Sequence, residues 1–284
     1  MKTLRIFSTK TDPYLLQFRD EAKAIGLKVN LYIYERFSFA DNHLTYTGRK
    51  GFPDFTNQDV VLFRRCAYEK KRQHFWLRLL ATLARDAGAT VLNEDFMVNF
   101  PLHSGKLFQA AYFAAQGIPH ISTYRLSRKL EGVTYPLIIK KRYTAFAKDS
   151  RIIQSPTALV VAKQQIRHLD DFVVQPFLSL DRDIRVLILN GQVVGAVERQ
   201  VSLKADGGLG VKVGQTTQLT KAEQAIVNQV LAVFDLDLAG LDLFTSQSGK
   251  TWLGEINFFP NFAGYIRETG ENIFQQILLM MAQG

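Results

Sequence analysis

The 284-residue sequence holds a single cysteine (Cys66), two tryptophans and only five histidines, and each scarcity narrows what the chain can do. One thiol can neither close an internal disulfide nor supply a cysteine-rich metal site, which points to a reducing compartment, with the cytoplasm as the expectation. The histidines are scattered without a His-x-His or His-Glu-x-x-His pair, and no Gly-x-Ser-x-Gly elbow occurs. Zinc and serine hydrolases are therefore disfavoured. No run reaches the ~18 uncharged apolar residues of a membrane helix. Arg5 and Lys10 interrupt the first apolar stretch before it could form the core of a secretory leader, so neither a membrane partner nor a cleaved leader is expected. Internal repeats and low-complexity tracts are also missing.

What is present reads as globular. Hydrophobic residues make up 47% and charged residues 21%, and the length suits about two domains. Lys and Arg number 35 against 26 Asp and Glu, and the resulting +9 favours anionic partners such as nucleotides, acidic peptides or phosphorylated metabolites. The basic residues are spread, with short clusters at Lys70-Lys71-Arg72 and Lys140-Lys141-Arg142. No RNA-binding aromatic signature or zinc-finger spacing accompanies them, which disfavours nucleic acid.

Patterning predicts strands at 4–8, 28–34, 60–63 and 90–92, with helices over 14–24 and 75–87 closed by Gly26 and Gly88. Strands separated by helices imply a parallel sheet. The stretch between Glu35 and Asp59, polar and punctuated by Gly48, Gly51 and Pro53, is too irregular to be another repeat of this strand–helix pattern. Ser104 is a candidate N-cap for a helix carrying Leu107, Ala111 and Ala114, stopped by Gly117 and Pro119. From Tyr135 the pattern turns β-rich, with strands at 136–140, 172–177, 182–189 and 193–199, the last two joined by an Asn190-Gly191 hairpin turn. A helix over 221–233, strands at 238–245 and 251–257 and a helix over 271–281 follow. The expected fold class is α/β followed by α+β, divided into an N-terminal domain, 1–98, and a second domain, 99–284.

Two phosphate-binding signals fail. Gly249-Lys250-Thr251 lacks the earlier glycine of a P-loop, since Phe244 stands there, and Gly208-Leu209-Gly210 lacks the third glycine of a dinucleotide fingerprint at Val213. The informative stretch is Gly240-Leu241-Asp242-Leu243-Phe244 with Trp252-Leu253-Gly254-Glu255-Ile256-Asn257. On a strand Glu255 and Asn257 share a face while Trp252, Gly254 and Ile256 point away. If the two strands pair, Asp242 joins Glu255 and Asn257, and two carboxylates with an amide oxygen suit magnesium. The alternative is that Asp242 is solvated at a strand end and Glu255 pairs with a nearby Lys or Arg. Arg64-Arg65 follows the 60–63 strand where open parallel sheets bind ligands, a candidate contact for an acidic substrate.

At these residues the sequence resembles the ATP-grasp superfamily, in its RimK-like branch of carboxylate–amine ligases. The resemblance runs in order through Val91-Leu92-Asn93, Ser104-Gly105-Lys106 and Ala115-Gln116-Gly117-Ile118-Pro119, then Tyr135-Pro136-Leu137-Ile138-Ile139-Lys140 and Val173-Val174-Gln175-Pro176-Phe177. It continues through Asp183-Ile184-Arg185-Val186, Asn190-Gly191-Gln192-Val193-Val194, Glu255-Ile256-Asn257-Phe258-Phe259-Pro260 and Glu268-Thr269-Gly270. It implies an ATP-grasp fold preceded by a parallel-sheet domain, with a first lobe at 99–172 and a second lobe at 173–284 carrying the metal site. ATP would be held by Lys106, Lys140, Gln175, Pro176, Phe177, Asp183 and Lys212, and magnesium, or manganese in its place, by Asp242, Glu255 and Asn257. Arg185, Lys140 and Arg199 would serve catalysis, Arg199 from the substrate side. The implied reaction joins the carboxylate of an amino acid or peptide, expected to be anionic, to an amine through an acyl phosphate, with self-association left open.

Two departures stand out. Residues 141–150 contain no glycine where the family usually has a glycine-rich loop, leaving Arg142 or Lys148 to meet phosphate, and only Lys212 is offered over 207–214. A kinase of a small phosphorylated or polyol substrate, through Asn257-Phe258-Phe259-Pro260, and a non-catalytic nucleotide-binding protein are the alternatives.

Overall fold

The computed structural model describes residues 2–48, 51–64, 71–98, 105–142, 150–203, 209–260 and 262–283. The expectations placed on Arg65, Cys66, Ser104 and Lys148, and on most of the 141–150 loop, lie outside the described residues. The chain separates into two compact units, Met1–Phe100 with Asn261–Gly284, and Pro101–Pro260.

The first unit is built on a parallel sheet. Its elements are β1 (Thr3–Ser8), α1 (Pro13–Ala24), β2 (Lys28–Ile33), β3 (Phe37–Ala40), β4 (His43–Tyr46), β5 (Asp59–Phe63), α2 (Lys71–Asp86), β6 (Thr90–Val91) and α3 (Glu94–Val98). Strand order is β2-β1-β5-β6, and β5 is buried along its whole length, as its apolar run Val60-Val61-Leu62-Phe63 in a parallel sheet should be. Asp12 caps α1 by accepting a hydrogen bond from the Leu15 amide at 2.9 Å, with Pro13 opening the helix. Phe7 stacks on Tyr32 and on Phe63, each at 5.0 Å between ring centroids, which ties β1 to both neighbouring strands.

Between β2 and β5 the chain makes no further strand–helix repeat of the parallel sheet, yet residues 35–59 are not without regular structure. They contain the antiparallel β3–β4 hairpin, whose Asp41-Asn42 turn has φ of 50° and 61°. Both residues tolerate the left-handed region, so the turn forms without the glycine that usually announces it. The last two helices, α7 (Ala263–Thr269) and α8 (Ile273–Gln283), belong with this unit, and Phe18 of α1 meets Phe274 of α8 edge to face at 5.4 Å. A large apolar residue on each helix supplies the reason for that packing, which sequence order alone does not show.

The second unit holds two antiparallel sheets. Its elements are α4 (Lys106–Ala115), β7 (Tyr124–Arg125), β8 (Leu137–Lys141), β9 (Arg151–Ile153), α5 (Pro156–Gln164), β10 (Phe172–Pro176), β11 (Leu180–Leu189), β12 (Gln192–Leu203), β13 (Leu209–Thr216), α6 (Lys221–Val233), β14 (Leu238–Ser246) and β15 (Thr251–Asn257). The smaller sheet runs β7-β10-β8-β9, with Leu137, Ile139 and Val174 packed in a core with Leu159 of α5. The larger runs β13-β12-β11-β14-β15. Asn190 and Gly191, at φ of 50° and 68°, make the expected hairpin turn between β11 and β12. Helix α4 has Gly105 at its N-cap, which offers no side-chain bond.

Helix α6 lies on the apolar face of the larger sheet and is anchored by a buried carboxylate. Glu223, fully buried, closes a capping box with Thr220 and accepts from Arg182 Nε at 3.0 Å and from Thr245 Oγ1 at 3.1 Å. Replacing Glu223 by alanine removes the cap and one partner of Arg182, which keeps its bonds to Thr217 Oγ1 and Gln218 O, so denaturant unfolding should show a loss of about 2 kcal/mol. A loss below about 1 kcal/mol would mean that the carboxylate does not hold the helix.

Candidate active site

The opposite face of the larger sheet is charged, and strand register explains why. Asp183 pairs with Phe244 and Arg185 with Asp242 across β11 and β14, while Asp242 pairs with Glu255 and Gly240 with Asn257 across β14 and β15. Residues two apart on each strand therefore gather Asp183, Arg185, Asp242, Glu255 and Asn257 on one face. Arg199 of β12 joins them, donating to Asp183 Oδ1 from Nε at 2.7 Å and to Asp242 Oδ2 from Nη1 at 2.8 Å.

A bulge corrects one expected orientation. Leu243 pairs with Leu253 but Asp242 with Glu255, so Gly254 is an extra residue and the alternation shifts by one. Trp252, paired with Phe244, thereby shares the face of Glu255 and Asn257 instead of opposing it. Glycine is required at the bulge, since a Cβ there would lie 2.1 Å from Cε2 of Phe244.

Neither Asp242 nor Glu255 faces its neighbour without compensation. Asp242, 4% exposed, takes Arg185 in a two-point pair at 2.7 and 2.9 Å as well as the Arg199 contact. Burial works to raise its pKa, but the two guanidiniums outweigh burial and hold it well below the usual carboxylate range. Asp183 goes the other way, raised because burial outweighs Arg199. Burial also opposes the charge on Arg199, yet Asp242 and Asp183 raise its pKa further. Glu255, on the rim, pairs with Lys106 Nζ of α4 at 3.2 Å. Asp242 is thus not a solvated strand end, whereas Glu255 does pair with a nearby lysine.

The smaller sheet adds Lys140 on β8 and Gln175 on β10. Lys140 Nζ donates to Gln175 Oε1 at 2.9 Å, and Gln175 Nε2 donates to Thr123 Oγ1 at 2.8 Å. The Lys140 stem is partly exposed, but its ammonium is enclosed, and burial followed by the nearby Lys106 charge lowers its pKa to about 8. Glu255 and Asp183 act on it in the opposite sense, which sets this lysine in the field of the larger sheet's charged face. Phe177 follows β10, with 39% of its surface exposed and its amide bonded to Pro136 O at 3.0 Å, while Pro176 lies opposite Leu137. Lys212 lies on β13 opposite Gln200, and its side chain is outside what is described. Arg64 is held in the first unit by Asp12 at 2.8 Å.

Sequence reading passed over Gln109. Its amide donates to Ile256 O at 3.0 Å and accepts from Ile256 N at 2.9 Å. A glutamine three residues after Lys106, on a helix otherwise rich in Leu, Ala and Phe, was the available signal. Among the described residues no group of three or more His, Cys, Asp and Glu side chains is placed to hold an ion, so the oxygen donors here are two carboxylates and one amide. The arrangement suits chemistry in which cations meet an extended polyanion beside a hard-oxygen pair.

Comparison with known proteins bears on the fold and the family. The chain is 23% identical over 174 residues to beta-citrylglutamate synthase B of Danio rerio, covering 56% of this chain and 43% of that protein. It is 35% identical over 111 residues to a probable alpha-L-glutamate ligase of Psychromonas ingrahamii, covering 36% of this chain and 35% of that one. The matches thus span less than half the length of these curated relatives. The fold matches that of ATP-grasp ligase PsnB, solved with a phosphomimetic variant of its minimal precursor, Mg and ADP, at a TM-score of 0.70 and 15% identity over 99% of this chain and 98% of that one. Residues 120–281, more than half of the chain and including every strand of the charged sheet face, match the RimK-like ATP-grasp domain, and the chain belongs to that family.

Proposed function

We propose that the chain is an ATP- and magnesium-dependent ligase joining the carboxylate of an amino acid or peptide to an amine. One observation carries the reading: a facing pair of carboxylates, Asp242 and Glu255, is met by Arg185 and Arg199 of the same sheet face and by Lys106 of α4, with Lys140 of the smaller sheet in the same field. Four cations against three carboxylates, Asp183 included, leave positive charge in excess, which a triphosphate would match.

The donor set fits magnesium. Asp242, Glu255 and the Asn257 amide offer hard oxygens at adjacent register positions, and Asn257 Nδ2 is buried without a hydrogen-bond partner, so nothing ties that amide in one orientation. Bound there, the ion would neutralise charge on the transferring phosphoryl group. Arg185 and Arg199 would then turn from Asp242 toward phosphate oxygens, and Lys140 would hold the nucleotide from the smaller sheet with Gln175 fixing its ammonium. The substrate carboxylate oxygen attacks the γ-phosphorus and ADP leaves. The amine nitrogen next attacks the acyl carbon, loses a proton, and phosphate departs as the amide forms. The chain need only align these two attacks and exclude water. The alpha-L-glutamate ligase and beta-citrylglutamate synthase relatives support an acidic amino acid or peptide among the substrates.

A panel of amino acids, short peptides and phosphorylated polyols with magnesium ATP tests this. Release of ADP and phosphate in equal amounts, with one amide formed per turnover, is the expected result. A stable acceptor carrying one more phosphoryl group, seen by mass spectrometry, would sink the ligase in favour of a kinase. No turnover with any acceptor and no thermal shift with an ATP analogue would sink both.

A further inference from the structure

Strand β15 carries two of the three oxygen donors and lies at the edge of its sheet, so its outward backbone groups need partners from elsewhere. The Gly254 bulge changes which residues turn those groups outward. At Leu253 they are met by Pro119 O, accepting at 2.8 Å, and by the Ile121 amide, donating at 3.4 Å. Without the extra residue the next outward position would be Glu255, and with it the position is Ile256. On its outer side Ile256 has no strand among the described residues, and the Gln109 side chain takes that place, making both hydrogen bonds that a neighbouring strand would make. Gln109 is 5% exposed, so water does not compete for them. Lys106 lies one helical turn earlier on the same face of α4 and pairs with Glu255. One turn of α4 thus holds Glu255 by its side chain and Ile256 by its backbone.

We propose that Gln109 is a positioning residue for the metal site, fixing β15 at the residue between Glu255 and Asn257 so that both donors keep their approach to Asp242. This rests on the reading of Asp242, Glu255 and Asn257 as the magnesium site. Two parallel bonds from one planar amide resist both sliding and rotation of the strand, which a single bond or an apolar contact would not. Groups that orient metal ligands in this way typically set affinity by a factor of about 10 to 100 when removed.

The test is binding of Mn²⁺, followed by electron paramagnetic resonance in the presence of ADP, to wild type, Gln109→Met and Gln109→Asn. Methionine keeps the length without the amide, and asparagine keeps the amide one carbon short, so at least one folded variant is expected. Glu223→Gln, which loosens α6 on the far face of the sheet, serves as a control for lost stability. The expected result is a loss of about 10-fold or more in Mn²⁺ affinity for the Gln109 variants, with unchanged stoichiometry, while Glu223→Gln binds as wild type does. Wild-type affinity in the Gln109 variants, or an equal loss in Glu223→Gln, overturns the positioning role and leaves the metal site standing. Absence of Mn²⁺ binding to wild type with ADP overturns the metal site and this role with it.

Discussion

Asp242→Asn is expected to lose ATP turnover by about 100-fold or more and also to lower stability by about 3 kcal/mol. Loss of turnover follows from removing the charge an ion requires. Loss of stability follows from the two arginines: a buried carboxylate holding Arg185 and Arg199 cannot be neutralised without stranding guanidinium charge. A simpler expectation, that facing carboxylates repel and that neutralising one relieves the fold, fails here because Asp242 is already over-compensated. The pH dependence follows the same sign. Its pKa is lower in the folded protein than in the unfolded chain, so its contribution is complete above the ordinary aspartate range near pH 4 and is lost as pH falls toward the depressed value. Glu255→Gln should differ, costing no more than about 1 kcal/mol because a rim carboxylate with one lysine partner is screened by solvent, while turnover collapses equally. Urea unfolding and magnesium-dependent ATP consumption on both variants separate stability from activity. Full stability in Asp242→Asn would refute the arginine clamp, and wild-type turnover in either variant would refute the metal assignment.

Lys140→Met should be more stable than wild type at pH 7 and unable to hold nucleotide. A lysine lowered from 10.5 to about 8 carries its charge in the folded state at a penalty of about 3 kcal/mol below pH 8. Between those two values the unfolded chain binds the extra proton, so wild-type stability rises with pH across that window and the gap to Lys140→Met closes. A gap that does not change from pH 7 to pH 10.5 would show that the ammonium is not enclosed. Triphosphate beside Lys140 should reverse the shift, so nucleotide binding near pH 8 takes up a proton in wild type. Titration calorimetry in two buffers of different ionisation enthalpy reads that proton directly. Lys140→Met showing the same uptake would assign it to another group.

Much of the architecture was legible in residue order. The unbroken apolar run Val60-Val61-Leu62-Phe63 could only be a doubly covered strand, and it lies inside a parallel sheet. Asn190-Gly191 named its hairpin, and the helix expected over 221–233 has the bounds of α6. These features depend on neighbours within a few positions, where backbone geometry and side-chain sterics act directly. The approach of Asp242 to Glu255 was also readable, because strand pairing follows from a short turn.

Tertiary structure decided what surrounds those carboxylates. Arg185, Arg199 and Asp183 lie on strands far from Asp242 in sequence, and only the β12-β11-β14 order places them together, so whether Asp242 is repelled or clamped could not be read from spacing. The bulge at Gly254 inserted one residue and reversed the face of Trp252, a change that period-two counting cannot anticipate. Gln109 reaches Ile256 across 147 positions, and its role exists only because β15 is an edge strand with an unpaired backbone at that residue. Local chemistry is written in the chain, whereas the compensation of buried charge and backbone polarity depends on which distant groups the fold brings within hydrogen-bonding distance.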